Sequence, residues 1–573
     1  MVSATAAASQ GMWFARTLAF RARTASRPRS RHSGPAPCRL GTARSRVPTC
    51  QRFLGPWGTP IMSGGCVSLD CDSAAALPVP AATAAVADAT QLQLPEPLAS
   101  NRYVHPRRKY WLRLTIEEAV LLGLGEIDYQ VSDPQAHYTL PWAWTTVWQK
   151  MTWQKLGFDT FPFDNDQFAH PGAGMITYEF ARSNGFSFAA SSVVTLTSSI
   201  LWKQFGEFQE RNFLNSIITT SFAGVAIGEA ASQVGSYLDA GRSTPLTQVL
   251  SLLVDPVRKV HDWIDGAEPL RTTNVDALGL SRDVGATLRL TGGPMVTRAS
   301  STGRADRTYG DFSIGARAHV VNIPGYEDPG RSSRWWDDGN ESDLACDLQL
   351  GQTGLDDVYF LARVAPVGWF TKSVAGKGEE RTGQRFWIGP TVGFDYVIHD
   401  YDRLGNGTPP DRFSTSQLGL EFEHDLFFPH GRLRTGLAIQ GQFGPVQSLA
   451  LNRYLSNAGD VGLLPEATRD QGYYWSWGLG AVPAIELRVG PVRAGGLARL
   501  DEFHGTYALQ APTAGTVTLR DWAFVGDAWI GVVPTPVLEF AVDGRWRARE
   551  GAVDMAVASR GERSILTTAT LAF

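Results

Sequence analysis

Two hydrophobic periods divide this chain. From about residue 280 to Phe573, apolar and polar positions alternate with period two. In "DFSIGARAHV", Phe312, Ile314, Ala316, Ala318 and Val320 alternate with Ser313, Gly315, Arg317 and His319. "DLACDLQL", "FWIGPTVGFDYVI", "QLGLEFEHD" and "PVLEFAVDGRWRAR" repeat the pattern, with turns such as "RVGPVR" and "GVVPTPV" among them. Successive side chains of a strand point to opposite faces, so each segment predicts a strand with one apolar and one charged face. About twelve such segments fit between residue 280 and the last residue.

A soluble sandwich also alternates, with its apolar face inward. Two features favour a membrane instead. Many of the segments reach the ~10 residues of a tilted crossing. The last of them, "SILTTATLAF", sets Ile565, Thr567, Ala569, Leu571 and Phe573 on one face. A terminal aromatic on a terminal strand resembles the ending of bacterial outer-membrane barrels, where the barrel assembly machinery engages it. Lipid offers no partner to a free strand edge, so the sheet must close. The expectation is an α+β membrane protein with an antiparallel transmembrane β-barrel of about twelve strands over residues 276–573. Outer-membrane lipid is its expected surroundings.

Residues 101–275 change to the helical period. "TIEEAVLLGLGEI" predicts a short helix with Thr115 as N-cap and Glu118 in the capping-box position. "LPWAWTTVWQKMTWQKLGF" gathers Trp142, Trp144, Trp148 and Trp153, a pattern that suits a bilayer interface or a neighbouring helix. Three further helices are expected from Gly172 to about Ser183, from about Ala189 to Phe208, and from about Asn212 to Leu238. An amphipathic helix "PLTQVLSLLVDPVRKVHDWI" follows. No charge occurs from Ser183 to Trp202 or from Asn212 to Gly228. These lengths approach the ~20 residues of a membrane helix, but their many Ser and Thr suit helices buried in protein. A plug in the lumen, or a segment docked at the barrel, accounts for both features. Gly224 and Gly228 form a G-x-x-x-G that permits close helix contact.

Composition removes several alternatives. The net charge of -4 argues against binding by phosphate neutralisation, so no nucleic acid is expected. Five cysteines, Cys38, Cys50, Cys66, Cys71 and Cys346, form neither a metal-binding spacing nor a disulfide framework. Residues 1–100 read as a disordered leader and linker rich in Arg, Ala and Pro. The first 61 residues hold ten Arg and no Asp or Glu. No export signal is legible there, which suggests a start placed too early, with Met62 as an alternative.

Ionisable residues at the joints of the apolar helices are the candidate site: His170, Tyr178, Arg182, Glu207, Asn215 and Glu229. Tyr178 and Arg182 lie four apart on one helical face. The pair expected for Arg182 is Glu207, and for Glu229 a lumen Arg or a backbone donor. The alternative to a site is that these groups pair and fix how the helices dock. His399–Asp400 and His424–Asp425 resemble halves of hydrolytic dyads but lack a nearby nucleophile. No phosphate loop, nucleophile elbow or metalloprotease motif is present. No metal or cofactor is expected.

The stretch from Phe168 to Gln233 resembles a bacterial family of unknown function, number 3943. His170, Pro171, Gly172, Tyr178, Ala181, Arg182, Gly185, Trp202, Glu207, Asn215, Gly224, Gly228 and Glu229 carry the resemblance. Lys203 stands where the family has Glu, and Ser216 where it has Asp. The resemblance covers residues 163–240 and implies no activity. The reading that follows is a non-enzymatic outer-membrane barrel for envelope maintenance, transport or scaffolding. Its alternative is an envelope enzyme acting on lipid or glycan, with the helix-borne polar residues as its site.

Overall fold

The computed structural model describes residues 109–572 apart from short stretches, the longest being 133–142, 400–410, 458–467 and 507–517. The leader, its cysteines and Phe573 lie outside the described residues. Twelve strands form one closed antiparallel barrel. They are β1 (Gly285–Ser301), β2 (Arg307–Val321), β3 (Gly330–Gly351), β4 (Gly354–Ala375), β5 (Thr382–His399) and β6 (Asp411–Phe428), followed by β7 (Gly431–Gln447), β8 (Tyr474–Val489), β9 (Val492–Gly505), β10 (Leu519–Thr535), β11 (Leu538–Val553) and β12 (Ala556–Ala572). Each pairs with its sequence neighbour, and β12 closes on β1 through pairs such as Ile565 with Val296. One end carries the short turns after β6, β8 and β10, together with the start of β1 and the end of β12. The longer connections after β5, β7 and β9 gather at the other.

The period-two pattern sorts side chains as expected. Ile530, Val532, Phe540, Val542 and Ile565 are exposed on the outer face. The opposite parity fills the lumen with ion pairs. Several of these cross it. Arg499 on β9 meets Asp395 on β5 at 2.5 Å, and Arg547 on β11 meets Asp357 on β4 at 2.9 Å. Both ends of the lumen are also packed. A helix within the β7–β8 connection, Leu449–Asn457, sets Ala450 and Leu451 against Phe413, Phe503 and Val553. At the turn end, Ile323 and Tyr326 of the β2–β3 connection pack with Phe370 and Trp387. There the Arg385 guanidinium sits 3.6 Å from the Tyr326 ring centre. Phe370 fills the lumen because a bulge between Val364 and Trp369 shifts the register.

Among the described residues, eight α-helices precede the barrel: α1 (Trp111–Ser132), α2 (Trp144–Met151), α3 (His170–Ser183), α4 (Phe188–Leu201), α5 (Leu214–Ile218), α6 (Gly224–Ala240), α7 (Pro245–Val254) and α8 (Pro256–Asp265). α9 is the lumen helix Leu449–Asn457. One turn of π-helix extends α4, and another joins α5 to α6. The sequence suggested one helix where α7 and α8 stand. Pro256, which cannot donate to a continuing helix, starts a second one, and Asp255 caps it by accepting from the Arg258 amide at 3.1 Å. Nor does Thr115 cap a helix. It lies inside α1, its hydroxyl donating to the Trp111 carbonyl at 2.9 Å.

Of the two expected placements, a plug in the lumen or a segment docked at the barrel, the structure has the docked one. α6 lies along the outside of the barrel, not in its lumen. Ala230 packs on Ala362 and Val364, and Val234 and Tyr237 pack on Ala318 and Val320. These strand residues have the parity opposite to the lumen residues Arg363 and His319. Near the loop end, Ala223 and Ala226 join Phe394, Tyr396 and Trp475 in one cluster. Small residues on α6 allow this close approach, and the lumen is left to α9 and the β2–β3 connection.

Candidate functional site

Where α3 crosses α6, glycine removes every side chain from the contact. A Cβ on Gly224 would stand 2.4 Å from the Gly174 carbonyl carbon, and one on Gly174 would stand 1.9 Å from the Thr220 oxygen. The helices are thus locked at backbone contact, as G-x-x-x-G spacing permits. One turn further along, the crossing carries a buried polar cluster. Arg182 Nε lies 2.8 Å from Glu229 Oε2, with the two side chains 4% and 0% exposed. A second guanidinium nitrogen of Arg182 donates to Glu229 Oε1 at 3.0 Å. Tyr178 donates to Oε2 at 2.7 Å and Gln233 to Oε1 at 2.6 Å. Arg182 also donates to the Phe186 carbonyl at 2.9 Å. The Glu229 carboxylate is ringed by donors, which offsets its desolvation.

Of the six candidate residues, the structure brings together Tyr178, Arg182 and Glu229. Glu207 is elsewhere. Both of its carboxylate oxygens accept from Lys203, at 2.5 and 2.6 Å, and Trp202 donates to it at 2.7 Å. The expected Arg182–Glu207 pair is therefore replaced by Arg182–Glu229. A π-turn carries Lys203 onto Glu207, and an inter-helix contact serves Arg182. Lys203, the departure from the family pattern, supplies the counter-charge. Lys150 of α2 donates to the Glu207 carbonyl at 2.6 Å, tying α2 to this joint. His170 begins α3, half-buried and apart from the Arg182–Glu229 cluster. Asn215 is fully buried on α5.

Three groups went unnoticed in the sequence. Arg258 of α8 binds Asp255 at 2.7 Å, Asp239 of α6 at 2.8 Å and Asp262 at 3.1 Å, and Lys259 also reaches Asp239 at 2.6 Å. Beside this network stands Glu179, 1% exposed, with neither carboxyl oxygen hydrogen-bonded among the described residues. In the lumen, His319, Glu341 and Asp343 offer ligand atoms within 4.8 Å of one another. Arg363 occupies the same neighbourhood, 2.8 Å from Asp343 and 3.1 Å from Glu421, so these acids belong to the lumen ion-pair lattice. Of the two His–Asp dipeptides, Asp400 lies outside the described residues, and the other three residues serve no dyad. Asp425 faces Arg385 and Arg434 in the lumen, while His399 pairs with Asp357 at 2.5 Å.

Residues 155–257 match the family model DUF3943, a domain of unknown function. This segment is similar to that domain. It runs from just before α3 to the first residues of α8, so it covers the crossing and its polar cluster and stops before the barrel. No curated protein matches the chain. Among solved structures, the chain is similar to the NanC porin at 8% identity, covering 48% of this chain and 98% of that one, with a TM-score of 0.19. It is similar to the translocator domain of the autotransporter NalP from Neisseria meningitidis at 6% identity, covering 50% and 88%, with a TM-score of 0.21. The outer membrane channel DcaP of Acinetobacter baumannii matches at 8% identity over 52% and 99%, with a TM-score of 0.18.

Proposed function

We propose that this protein is a non-enzymatic scaffold of the bacterial outer membrane, whose barrel holds the DUF3943-like segment against its outer wall. The lumen serves as a structural core rather than a conduit. The observation that carries the reading is the pair of ion bridges across the lumen, Arg499–Asp395 and Arg547–Asp357. A barrel of twelve strands is wide enough to leave space that side chains must fill. Here charged side chains, α9 and Tyr326 fill it. The three longest connections, after β5, β7 and β9, gather at one end, and the usual asymmetry directs the opposite end to the periplasm. The barrel assembly machinery would engage β12 and the terminal Phe573. The runner-up, an envelope enzyme, needs reactive groups open to substrate, whereas Arg182 and Glu229 are closed on each other in a packed interior.

The test is conductance in planar bilayers. The full chain is expected to give no steady porin-sized channel. Replacing both Arg499 and Arg547 by alanine removes the crossing bridges and should produce frequent open events in a barrel that still shows a heat-dependent gel shift. A large steady conductance from the unaltered protein would overturn the scaffold reading in favour of transport.

A further inference from the structure

We propose that the helical domain α1–α8, which contains the DUF3943-like segment, lies within the bilayer beside the barrel, its outer surface in contact with lipid acyl chains. The inference rests on the outer-membrane reading of the barrel and adds where the helices reside.

The polarity of the helices is inverted. On α1, Leu112, Ile116, Val120, Gly123, Ile127 and Val131 form one exposed stripe at helical spacing, with Leu112 74% and Val131 76% exposed. Two acidic residues of α1 turn inward. Glu117 accepts from Asn184 at 2.6 Å and Glu118 from Ser198 at 2.7 Å. On α4, Val193 and Leu196 are exposed while Ser191, Thr195 and Ser199 are buried. On α7, Leu246, Val249 and Leu253 are exposed while Thr247 and Ser251 are buried. A helix at a water surface shows the reverse. In water this arrangement is penalised twice, for exposing apolar area and for burying polar groups. In hydrocarbon both penalties vanish, because polar groups must find their partners inside the protein.

A second observation fixes the medium. α6 follows the outer wall from the loop end, at Phe394 and Tyr396, to the turn end, at Ala318 and Val320. Its 17 residues rise ~25 Å, most of a ~30 Å hydrocarbon core. The domain therefore shares the depth at which the uncovered strands expose Ile530, Val542 and Ile565. Its apolar surface continues that belt sideways. No described helix is long and apolar enough to cross a membrane by itself. α6 does not need to be, since its polar residues Glu229 and Asp239 face partners on α3, α7 and α8. This also explains uncharged helices with ionisable groups at their joints: the charges point into the domain and the apolar side points to lipid.

The experiment places a nitroxide on single cysteines at Val120, Val193 and Val249 in the full chain, with the natural cysteines replaced by serine, in reconstituted bilayers. Ile530 serves as the lipid-facing reference and Lys377, in an exposed turn, as the aqueous one. The three helix sites should match Ile530, relaxed strongly by oxygen and severalfold less than Lys377 by a water-soluble nickel chelate. Nickel access equal to that at Lys377, with Ile530 still shielded, would overturn the inference alone. Immobilised labels closed to both reagents would also overturn it, by showing a protein partner on this face. Nickel access at Ile530 would bring down the outer-membrane reading and this inference with it.

Discussion

Arg182→Ala should strip the helical domain from a barrel that remains assembled. The change leaves the Glu229 carboxylate buried with only Tyr178 and Gln233 as donors. Breaking a buried pair by removing one partner costs about 3–5 kcal/mol, chiefly because the remaining charge stays desolvated. The barrel does not share that cost, since all twelve strands close through their own ladder. Limited proteolysis should then cut within α1–α8 and leave a resistant fragment beginning near residue 280, with the heat-dependent gel shift intact. Replacing Arg182 and Glu229 together by methionine should restore much of the protection, because no charge is then stranded. Native protection in Arg182→Ala would mean that the pair is dispensable. Loss of the barrel as well would mean that the helices are needed for closure.

The barrel was legible because its signal is local. A strand needs only period two and a turn, and the outward parity read from Phe540, Val542 and Trp546 is the parity the structure exposes. Helix existence was legible for the same reason. Which way each helix faces was not. α1 carries apolar residues nearly all round, so whether Leu112 or Glu117 meets the interior depends on what surrounds the domain, and no local pattern encodes that. The same ignorance left the lumen and the outer wall as equal placements for the helices. An apolar helix beside a charged lumen could be either a plug or a wall-hugging segment. The choice depends on small residues at Ala223, Ala226 and Ala230, which have meaning only against a wall whose strands lie more than a hundred residues away. Partner assignment failed for a related reason. Glu207 was matched to Arg182 by charge, whereas the π-turn at Trp202–Gly206 delivers Lys203 to it four residues away. The polar cluster was half legible: its residues stood out by charge against apolar runs, but their grouping required the glycine crossing.

Substitution by alanine at three helical glycines should separate in cost according to what each new Cβ meets. At Gly123, exposed on α1, it meets nothing within 4 Å. Alanine there should be neutral or stabilise by up to ~1 kcal/mol, since glycine is the poorer helix former. At Gly228 it meets the Tyr178 ring, 2.7 Å away at the nearest carbon. The ring can move, but doing so loosens its bond to Glu229, so a moderate loss is expected. At Gly224 it meets Gly174 backbone, 2.5 Å from that residue's Cα. Backbone cannot rotate aside, so α3 and α6 must separate. α6 has no room to retreat, because Ala230 is fully buried against Ala362 and Val364 on its other side. The separation would also stretch Arg182–Glu229, which spans the same two helices. Overpacking alone costs about 1–3 kcal/mol, and the weakened pair adds to it, so Gly224→Ala should approach the Arg182→Ala loss. Ranking the three variants by protease protection of the domain in reconstituted bilayers tests this. A Gly224→Ala protein as well protected as Gly123→Ala would show that the α3–α6 crossing is looser than backbone contact, and that the polar cluster alone holds the helices together.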